Sequence, residues 1–250
     1  MIALITPTGA RIAQFQLCAK FMQRQTYKGE VTWIIVDDAY PVTTEIVGAG
    51  FKDNWTIIKV FPFPSWNNGE NTQTRNISSG IDTLLENYKM EEIEAVFMIE
   101  DDDYYRANYL ERMMDRIQPY KVLGEMNTIY YNVYFRRFFI NRNTSHVSLF
   151  QLAFKADMIP LFATCYNERF IDFKFYEKLH AESYVRKGQV GFFNENNLAI
   201  GMKGMPGRGG IGAGHGRQMN MLLDQNMNYL TKLIQNDAQL YARYYRNNSM

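Results

Sequence analysis

Four consecutive acidic residues, at positions 100–103, directly follow a short apolar segment of β-forming residues at positions 96–99. The apolar segment predicts a buried strand, so the acidic cluster lies where that strand ends. Adjacent carboxylates repel one another, and hard divalent ions such as Mg²⁺ and Mn²⁺ prefer carboxylate oxygens. Open α/β sheets also bind their ligands at the carboxyl ends of strands. The pattern therefore favours a Mn²⁺ or Mg²⁺ site over a solvated acidic turn before the helix that begins near Asn108.

The first 118 residues alternate between apolar segments of strand length and amphipathic segments of helix length. Strand, helix and strand in this order predict right-handed βαβ units and a parallel sheet. The fold class expected is α/β, with a single mixed, mostly parallel sheet flanked by helices and a Rossmann-like nucleotide-binding first half. Neither GxGxxG nor a P-loop pattern occurs in the chain. The predicted strands are 2–6, 33–36, 55–61 and 95–99, and the predicted helices are 11–24, 72–88 and one around 110–117.

The second half of the chain differs in composition from the first. Residues 127–143 interleave aromatic and arginine side chains, which predicts one or two strands with one face in the core and the other exposed. The alternative is that these side chains stack on sugars or on bases of a nucleic acid. Residues 201–216 contain eight glycines, which predicts a mobile loop able to close over a ligand. The other predicted elements are strands 146–154 and 189–193 and helices 173–187 and 219–245.

Composition excludes several classes of protein. Hydrophobic residues make up 46% of the 250 residues, enough for a sizeable core, and the formal net charge of +1 argues against a globally basic nucleic-acid binder. The two cysteines, Cys18 and Cys165, have no metal-ligand spacing and are expected to be reduced thiols. No signal peptide or membrane-length apolar segment is recognisable, so we expect a soluble, cytoplasmic protein without a transmembrane segment.

Five short segments resemble, in order and spacing, family two glycosyltransferases of the GT-A fold. The resemblance covers about residues 2–118 and implies a nucleotide-diphospho-sugar donor, with a UDP-sugar favoured, a divalent metal and inversion at the anomeric carbon. Residues 1–125 would form the nucleotide-sugar-binding half, and residues 126–250 the acceptor-binding half, of one continuous domain. The segments are 5–8 (ITPT), 23–27 (QRQTY), 34–38 (IIVDD), 75–76 (RN) and 98–104 (MIEDDDY).

The family's metal motif, an acid, any residue and an acid, falls on Glu100, Asp101 and Asp102. The resemblance implies that Asp102 is the direct metal ligand, with Asp103 beside it. Glu100 stands where the family usually has aspartate, which leaves open whether it contacts the ribose, a water or nothing. His215, in the glycine-rich segment, is similar to the late histidine that serves some GT-A enzymes as an extra metal ligand.

The resemblance also implies contacts to the nucleotide. Either Asp37 or Asp38, at the end of the second strand, accepts a hydrogen bond from the base or the ribose, and the alternative is that one of them only caps the next turn. Arg75 matches a family position near the diphosphate, although an arginine at a helix start is often a surface residue. The expected set is Thr6, Pro7 and Thr8 at the base, and Arg75, Lys203 and Arg208 at the diphosphate.

The acceptor hydroxyl needs a general base within hydrogen-bond reach. Residues 168–176 resemble the region that carries the family's acidic pair, and Asp172 aligns with the second acid. Ile171 replaces the first acid, so Glu168 is a substitute candidate, and a helix N-cap is the structural alternative for Asp172. The expected acceptor is a glycan or another polymer, including hydroxylated bases of DNA.

Two other classes are compatible with this sequence. A nucleotidyltransferase would need a basic, glycine-rich phosphate loop after the first strand, and residues 7–11 (PTGAR) are a weak version of one. A non-catalytic module that only binds a nucleotide-sugar is the other alternative, because Glu100 and Ile171 depart from the family's pattern.

Overall fold

The alternating strands and helices predicted for the first half are confirmed in a computed structural model, which describes residues 1–39, 50–195, 198–208 and 221–245. Each predicted apolar segment forms a strand, and the predicted helices begin and end within two residues of their expected bounds. The elements, in chain order, are β1 (Ile2–Thr8), α1 (Ile12–Gln23), β2 (Val31–Asp37), β3 (Trp55–Val60), α2 (Gln73–Asn87), β4 (Ala95–Met98), β5 (Tyr104–Tyr105) and α3 (Tyr109–Ile117).

The second half adds short strands and helices. The aromatic segment 127–143 forms two antiparallel strands, as expected, while β5 in the first half and β6 in the second are too short for the local pattern to predict. The elements are β6 (Val122–Glu125), β7 (Thr128–Asn132), β8 (Arg137–Asn141), β9 (Leu152–Phe154), α4 (Ile159–Ala163), α5 (Ile171–Ala181), β10 (Val190–Phe193), β11 (Ala199–Lys203), β12 (Leu222–Leu223) and α6 (Asn228–Ile234).

A central sheet of seven strands has the order β10-β6-β9-β4-β1-β2-β3. Strand β9 runs antiparallel to both of its neighbours, and the other described strands of this sheet run parallel to one another. The mixed, mostly parallel α/β sheet flanked by helices is therefore confirmed. Because β1, β2 and β4 are adjacent and parallel, their carboxyl ends lie side by side at one edge.

The expectation of a single sheet is corrected by a second sheet of five strands, in the order β12-β8-β7-β11-β5. Strand β11 pairs in parallel with β7 and antiparallel with β5, which lies far from it in the chain. Pairings between distant segments depend on tertiary packing, so hydrophobic periodicity within one segment does not reveal them.

Four expectations for the second half are wrong in part. The predicted helix 219–245 is reduced to α6 followed by 3₁₀ turns, because Met227 and Gln235 on either side of α6 have positive φ angles of 58° and 53°. The predicted strand 146–154 is a 3₁₀ turn followed by β9, and the predicted helix 173–187 is α5, which ends at Ala181. The start of the predicted mobile loop, Gly201 to Lys203, belongs to the buried strand β11.

Two hydrophobic clusters cover the two faces of the central sheet. Alternate residues of β1 point to opposite faces, so Leu4 packs in the cluster that contains Phe15 of α1, and Ile5 in the cluster that contains Ile77 of α2. Full burial of one such side chain contributes about 1.5–3 kcal/mol. Helices therefore pack on both faces of the sheet, and the described ones do not cover the carboxyl ends of its strands. No helix in the described parts of the chain has the length and apolar character needed to cross a membrane.

Candidate active site

The carboxyl ends of β1, β2 and β4 bring the predicted site residues together. Register pairs Thr8 with Asp37 on one side, and Ile5 with Met98 on the other, so that Thr8 lies next to the acidic cluster. The Thr8 hydroxyl donates a hydrogen bond of 2.7 Å to Asp101 Oδ2. The turn after β1 is equally close to β2, because a Cβ atom on Gly9 would lie 2.1 Å from Asp38 Oδ1.

The acidic cluster has the donor atoms that a divalent cation requires. Carboxylate oxygens of Glu100, Asp102 and Asp103 lie within 4.8 Å of one another. Asp102 and Asp103 are only 8% and 1% exposed, and Asp103 Oδ2 is buried without a hydrogen-bond partner among the described residues. An unsatisfied buried oxygen costs about 1–3 kcal/mol, and more when it is charged. The donor set and this unsatisfied oxygen both fit Mg²⁺ or Mn²⁺.

Two cations, the partly buried Arg11 and the buried Lys203, compensate part of the cluster's charge. Arg11 Nη1 lies 2.6 Å from Asp101 Oδ1, and Arg11 Nη2 lies 3.6 Å from Asp102 Oδ2. Lys203 Nζ lies 2.9 Å from Asp103 Oδ1 and 3.5 Å from Asp102 Oδ2. Two cations against four carboxylates leave an excess of negative charge at the edge of the sheet.

Burial dominates the titration of these groups. It raises the pKa of Asp101 and, more strongly, of Asp103, while Arg11 and Lys203 respectively oppose the rise. Burial also raises the pKa of Glu100. For Lys203, burial lowers the pKa, but the carboxylates of Asp102 and Asp103 more than reverse this and raise it. The site therefore keeps its cations charged and would be stabilised by further positive charge.

A cavity of about 430 Å³ opens beside the cluster, within the size range of small-molecule sites. The second half of the chain supplies part of its wall through Tyr130, Ser148, Phe150 and Arg169. Eight of the predicted site residues line this cavity: Pro7, Thr8, Glu100, Asp101, Asp102, Asp172, Lys203 and Arg208.

Other predicted site residues are not among the described residues that line the cavity. Thr6 faces the interior, where its hydroxyl accepts a 2.8 Å hydrogen bond from Trp33 Nε1. Asp37 is buried, and its Oδ1 accepts a hydrogen bond of 3.2 Å from the Ala39 amide. Asp103 lies behind Asp102, in contact with Lys203. His215 belongs to residues 209–220, outside the described part of the chain.

Asp38 is the centre of a second ionic cluster at the end of β2. Its Oδ1 pairs with Arg208 Nη1 at 2.8 Å, and its Oδ2 pairs with Arg75 Nη2 at 3.1 Å and accepts a hydrogen bond from the Thr72 hydroxyl. The Arg208 guanidinium also lies 4.5 Å from the centre of the Trp66 ring. Arg75 is therefore more than a surface arginine, since it fastens α2 to the end of β2.

Residues 204–208 reach across the start of α1. Gln14 Nε2 donates a 2.8 Å hydrogen bond to the Pro206 carbonyl, and Arg11 Nε donates one of 2.8 Å to the Arg208 carbonyl. These contacts place Arg208 beside the cavity, opposite the acidic cluster.

Asp172 lies in the first turn of α5 and lines the cavity. It is not the N-cap, which is Phe170. Burial raises the pKa of the Asp172 carboxyl, and backbone N–H groups of Phe173 and Leu149 partly oppose the rise. Glu168 is exposed and is absent from the cavity lining in the described chain.

Sequence reasoning missed four residues of this site. Arg11 was part of the weak phosphate-loop pattern, and a cation directly after the first strand is the signal that identifies it. Gln73 donates a hydrogen bond to Glu100 Oε1 from the start of α2. Tyr130 and Ser148, whose hydroxyl oxygens lie 2.7 Å apart, line the cavity from the second half. The aromatic segment 127–143 is the signal for Tyr130, and nothing in the local sequence indicates Ser148.

The mixed α/β sheet flanked by helices is a GT-A-like fold, the fold of the glycosyltransferases to which it is similar in structure. Among solved structures it is similar to S. aureus TarS 1–349 in complex with UDP, with a TM-score of 0.53 and 13% identity over 80% of this chain and 60% of that chain. The complex of TarS 1–349 with UDP-GlcNAc has a TM-score of 0.50 and 15% identity over 84% and 59%. The chain thus spans about three fifths of the length of these TarS structures. No family model and no curated protein sequence matches it.

Proposed function

We propose that this protein is a metal-dependent glycosyltransferase that moves a sugar from a UDP-sugar to an acceptor hydroxyl with inversion. The observation that carries the proposal is the cavity lined by the acidic cluster, by Asp172 and by three cationic side chains that suit a diphosphate, Arg11, Lys203 and Arg208. The GT-A-like fold supports it, as do the UDP and UDP-GlcNAc bound in the similar TarS structures.

The first half binds the donor in this proposal. Asp102 and Asp103, with Glu100 beside them, hold Mn²⁺ or Mg²⁺, and His215 is the further ligand that the family resemblance implies. The bound ion offsets the negative charge that grows on the diphosphate as the glycosidic bond breaks. Pro7, Thr8 and one of Asp37 and Asp38 bind the nucleoside, and Asp101 positions Arg11. Arg11, Lys203 and Arg208 pair with diphosphate oxygens, helped by Arg75 through Asp38.

Asp172 is the proposed general base. Its carboxylate accepts the proton of the acceptor hydroxyl while that oxygen forms a bond to the anomeric carbon. The bond from the anomeric carbon to the donor's phosphate oxygen breaks on the opposite face, and its electron pair leaves with UDP. We assign this role to Asp172 and not to Glu168, because Asp172 lines the cavity.

The acceptor in this proposal is a glycan or another polymer, with hydroxylated bases of DNA as a member of that class. Arg169 and Phe170 line the cavity next to Asp172, and the Phe170 side chain is 49% exposed. An exposed aromatic ring is able to stack on the apolar face of a sugar or on a base.

The metal and donor assignment is tested by replacing Asp102 with alanine. We expect UDP to raise the melting temperature of the wild-type protein only when Mn²⁺ is present, because a ligand of the folded state stabilises it by mass action. The Asp102→Ala variant should lose both this shift and sugar transfer from the UDP-sugar, and keep the wild-type circular dichroism spectrum. Asp53→Ala is the control, an exposed acid before β3 at the opposite edge of the sheet.

Full transfer by the Asp102→Ala variant would contradict the assignment. A Mn²⁺-dependent shift with UDP, but no transfer to glycans or hydroxymethylated DNA, would favour a binding module. Pyrophosphate release from a nucleoside triphosphate and a sugar phosphate would instead identify a nucleotidyltransferase.

A further inference from the structure

Lys203 occupies the side of the acidic cluster where a divalent ion is expected. It ends β11, lines the cavity and is only 5% exposed. Its ammonium nitrogen contacts Asp103 Oδ1 at 2.9 Å and Asp102 Oδ2 at 3.5 Å. These two aspartates are the proposed metal ligands, so a lysine and a metal would use the same carboxylates.

The oxygens of Asp103 are unequally used. Oδ1 accepts hydrogen bonds from Lys203 Nζ and from the Met202 amide at 2.8 Å, while Oδ2 is buried and has no hydrogen-bond partner within the described structure. Lys203 therefore leaves one oxygen of Asp103 without a hydrogen bond. A cation of higher charge that binds both aspartates at once would satisfy it better.

We propose that Lys203 is an internal counter-cation that a divalent metal displaces from Asp102 and Asp103, and that the displaced ammonium then pairs with the diphosphate of the donor. This inference rests on the proposed function and deepens it. It makes Lys203 a donor-binding residue that couples metal binding to donor binding.

Charge is the physical reason for the exchange. A divalent ion and an ammonium group a few ångströms apart repel each other by several kcal/mol at the effective dielectric of a protein site. The lysine stem is flexible, and the cavity next to it has room for its head group. The ring centre of Phe150, which also lines the cavity, lies 5.9 Å from Nζ. The displaced ammonium therefore moves toward the cavity and the phosphates of a bound donor.

The coupling between metal binding and donor binding is positive. Metal binding releases Lys203 to pair with the diphosphate. A diphosphate that draws Lys203 away leaves Asp102 and Asp103 open to the metal. Each ligand therefore raises the affinity for the other by the same factor, as linkage requires. A lysine with only a structural role would contribute nothing to this coupling.

Lys203→Met tests the exchange, because methionine keeps most of the length of the side chain and removes its charge. We expect the Kd for Mn²⁺ alone, measured from the electron paramagnetic resonance signal of free Mn²⁺, to fall at least about tenfold, since the competing cation is gone. The Kd for UDP in saturating Mn²⁺, measured by calorimetry, should rise about tenfold, because a charged contact to phosphate is lost. Lys121→Met, at an exposed salt bridge with Asp157, is the control and should leave both constants unchanged.

Opposite changes in the two constants support the exchange, whereas weakening of both, as expected for a structural role, overturns it. If Lys203→Met fails to fold, Lys203→Arg keeps the charge and should bind Mn²⁺ no more tightly than the wild type. Tighter Mn²⁺ binding by Lys203→Arg would overturn the inference. If the wild type binds Mn²⁺ and UDP and Lys203→Met has the same Mn²⁺ affinity as the wild type, the exchange is wrong and the proposed function is unaffected. If the wild type binds neither Mn²⁺ nor UDP, both the exchange and the proposed function are wrong.

Discussion

Asp172 combines access to the cavity with a carboxyl pKa that burial raises above its ordinary value. A raised pKa makes a carboxylate a stronger base once it is deprotonated. The position at the first turn of α5 adds backbone N–H groups that orient the carboxylate and moderate the shift. These properties suit a residue that takes a proton from an acceptor hydroxyl.

Replacing Asp172 with asparagine should lower kcat by about 10²–10⁴-fold and leave the Kd for UDP unchanged, because only the proton acceptor is lost. Below the raised pKa the wild-type carboxyl is protonated and inactive, so the wild-type rate should rise with pH through a midpoint above the ordinary aspartate range. That limb should be absent from the variant's pH–rate profile. Asp115→Asn, an exposed acid on α3, is the control. A wild-type kcat in the Asp172→Asn variant would mean that another residue is the general base.

Glu125, at the end of β6, holds the segment that leads into β11 by hydrogen bonds to its backbone. Glu125 Oε1 accepts a 3.1 Å hydrogen bond from the Glu195 amide, and Oε2 accepts hydrogen bonds from the Ala199 amide at 3.4 Å and Gln151 Nε2 at 3.3 Å. Strand β11 carries Lys203 to the acidic cluster, so this buried carboxylate helps to position the site from outside it.

Burial raises the pKa of Glu125 from an ordinary value of 4.5 to about 7, although its hydrogen-bond donors oppose the rise. The folded state therefore favours the protonated form, and this contribution to stability is present at acidic pH and lost as pH rises through about 7. We expect the free energy of unfolding of the wild type, relative to Glu125→Gln, to fall by roughly 3 kcal/mol between about pH 5 and pH 8. Urea unfolding of both proteins at the two pH values measures it.

Glu86→Gln, at an exposed position on α2, serves as the control for this titration and should show no pH-dependent difference from the wild type. A Glu125→Gln variant whose difference from the wild type is the same at both pH values would contradict the raised pKa.

At the scale of the whole molecule, the site joins segments from both ends of the chain. The acidic cluster follows β4 of the central sheet, while Lys203 ends β11 of the second sheet, and the two sheets meet at this contact. A ligand that binds the cluster and Lys203 together would therefore stabilise both sheets at their shared edge.

Mn²⁺ and UDP together should slow amide hydrogen exchange in residues 100–103 and 202–208 and leave the far-edge strand β10 unchanged. The reason is that ligand binding raises the free energy of opening only where the ligand contacts the structure. Hydrogen-exchange mass spectrometry measures this, with Asp102→Ala as the variant that should show no slowing. Protection spread evenly over the chain, or none, would contradict a donor site at this edge.

Much of the central sheet was predictable from sequence, because buried parallel strands are continuous apolar segments and the helices between them have clear periodicity. The position of Asp102 at a strand end followed from the same pattern. The short strands β5 and β6 and the break after α6 were not predictable, since distant partners and two positive φ angles determine them. The predicted roles of Asp37, Asp38 and His215 stay predictions.

Local sequence was enough to predict that four carboxylates follow a buried strand, because an apolar segment and the acids after it are recognisable without any distant contact. The groups that lie against these carboxylates depend on the tertiary structure. Lys203 contacts Asp103 across 100 residues of chain, and Arg11 contacts Asp101 across 90. Those ion pairs depend on the pairing of strands far apart in the chain and on burial, which local sequence patterns do not contain.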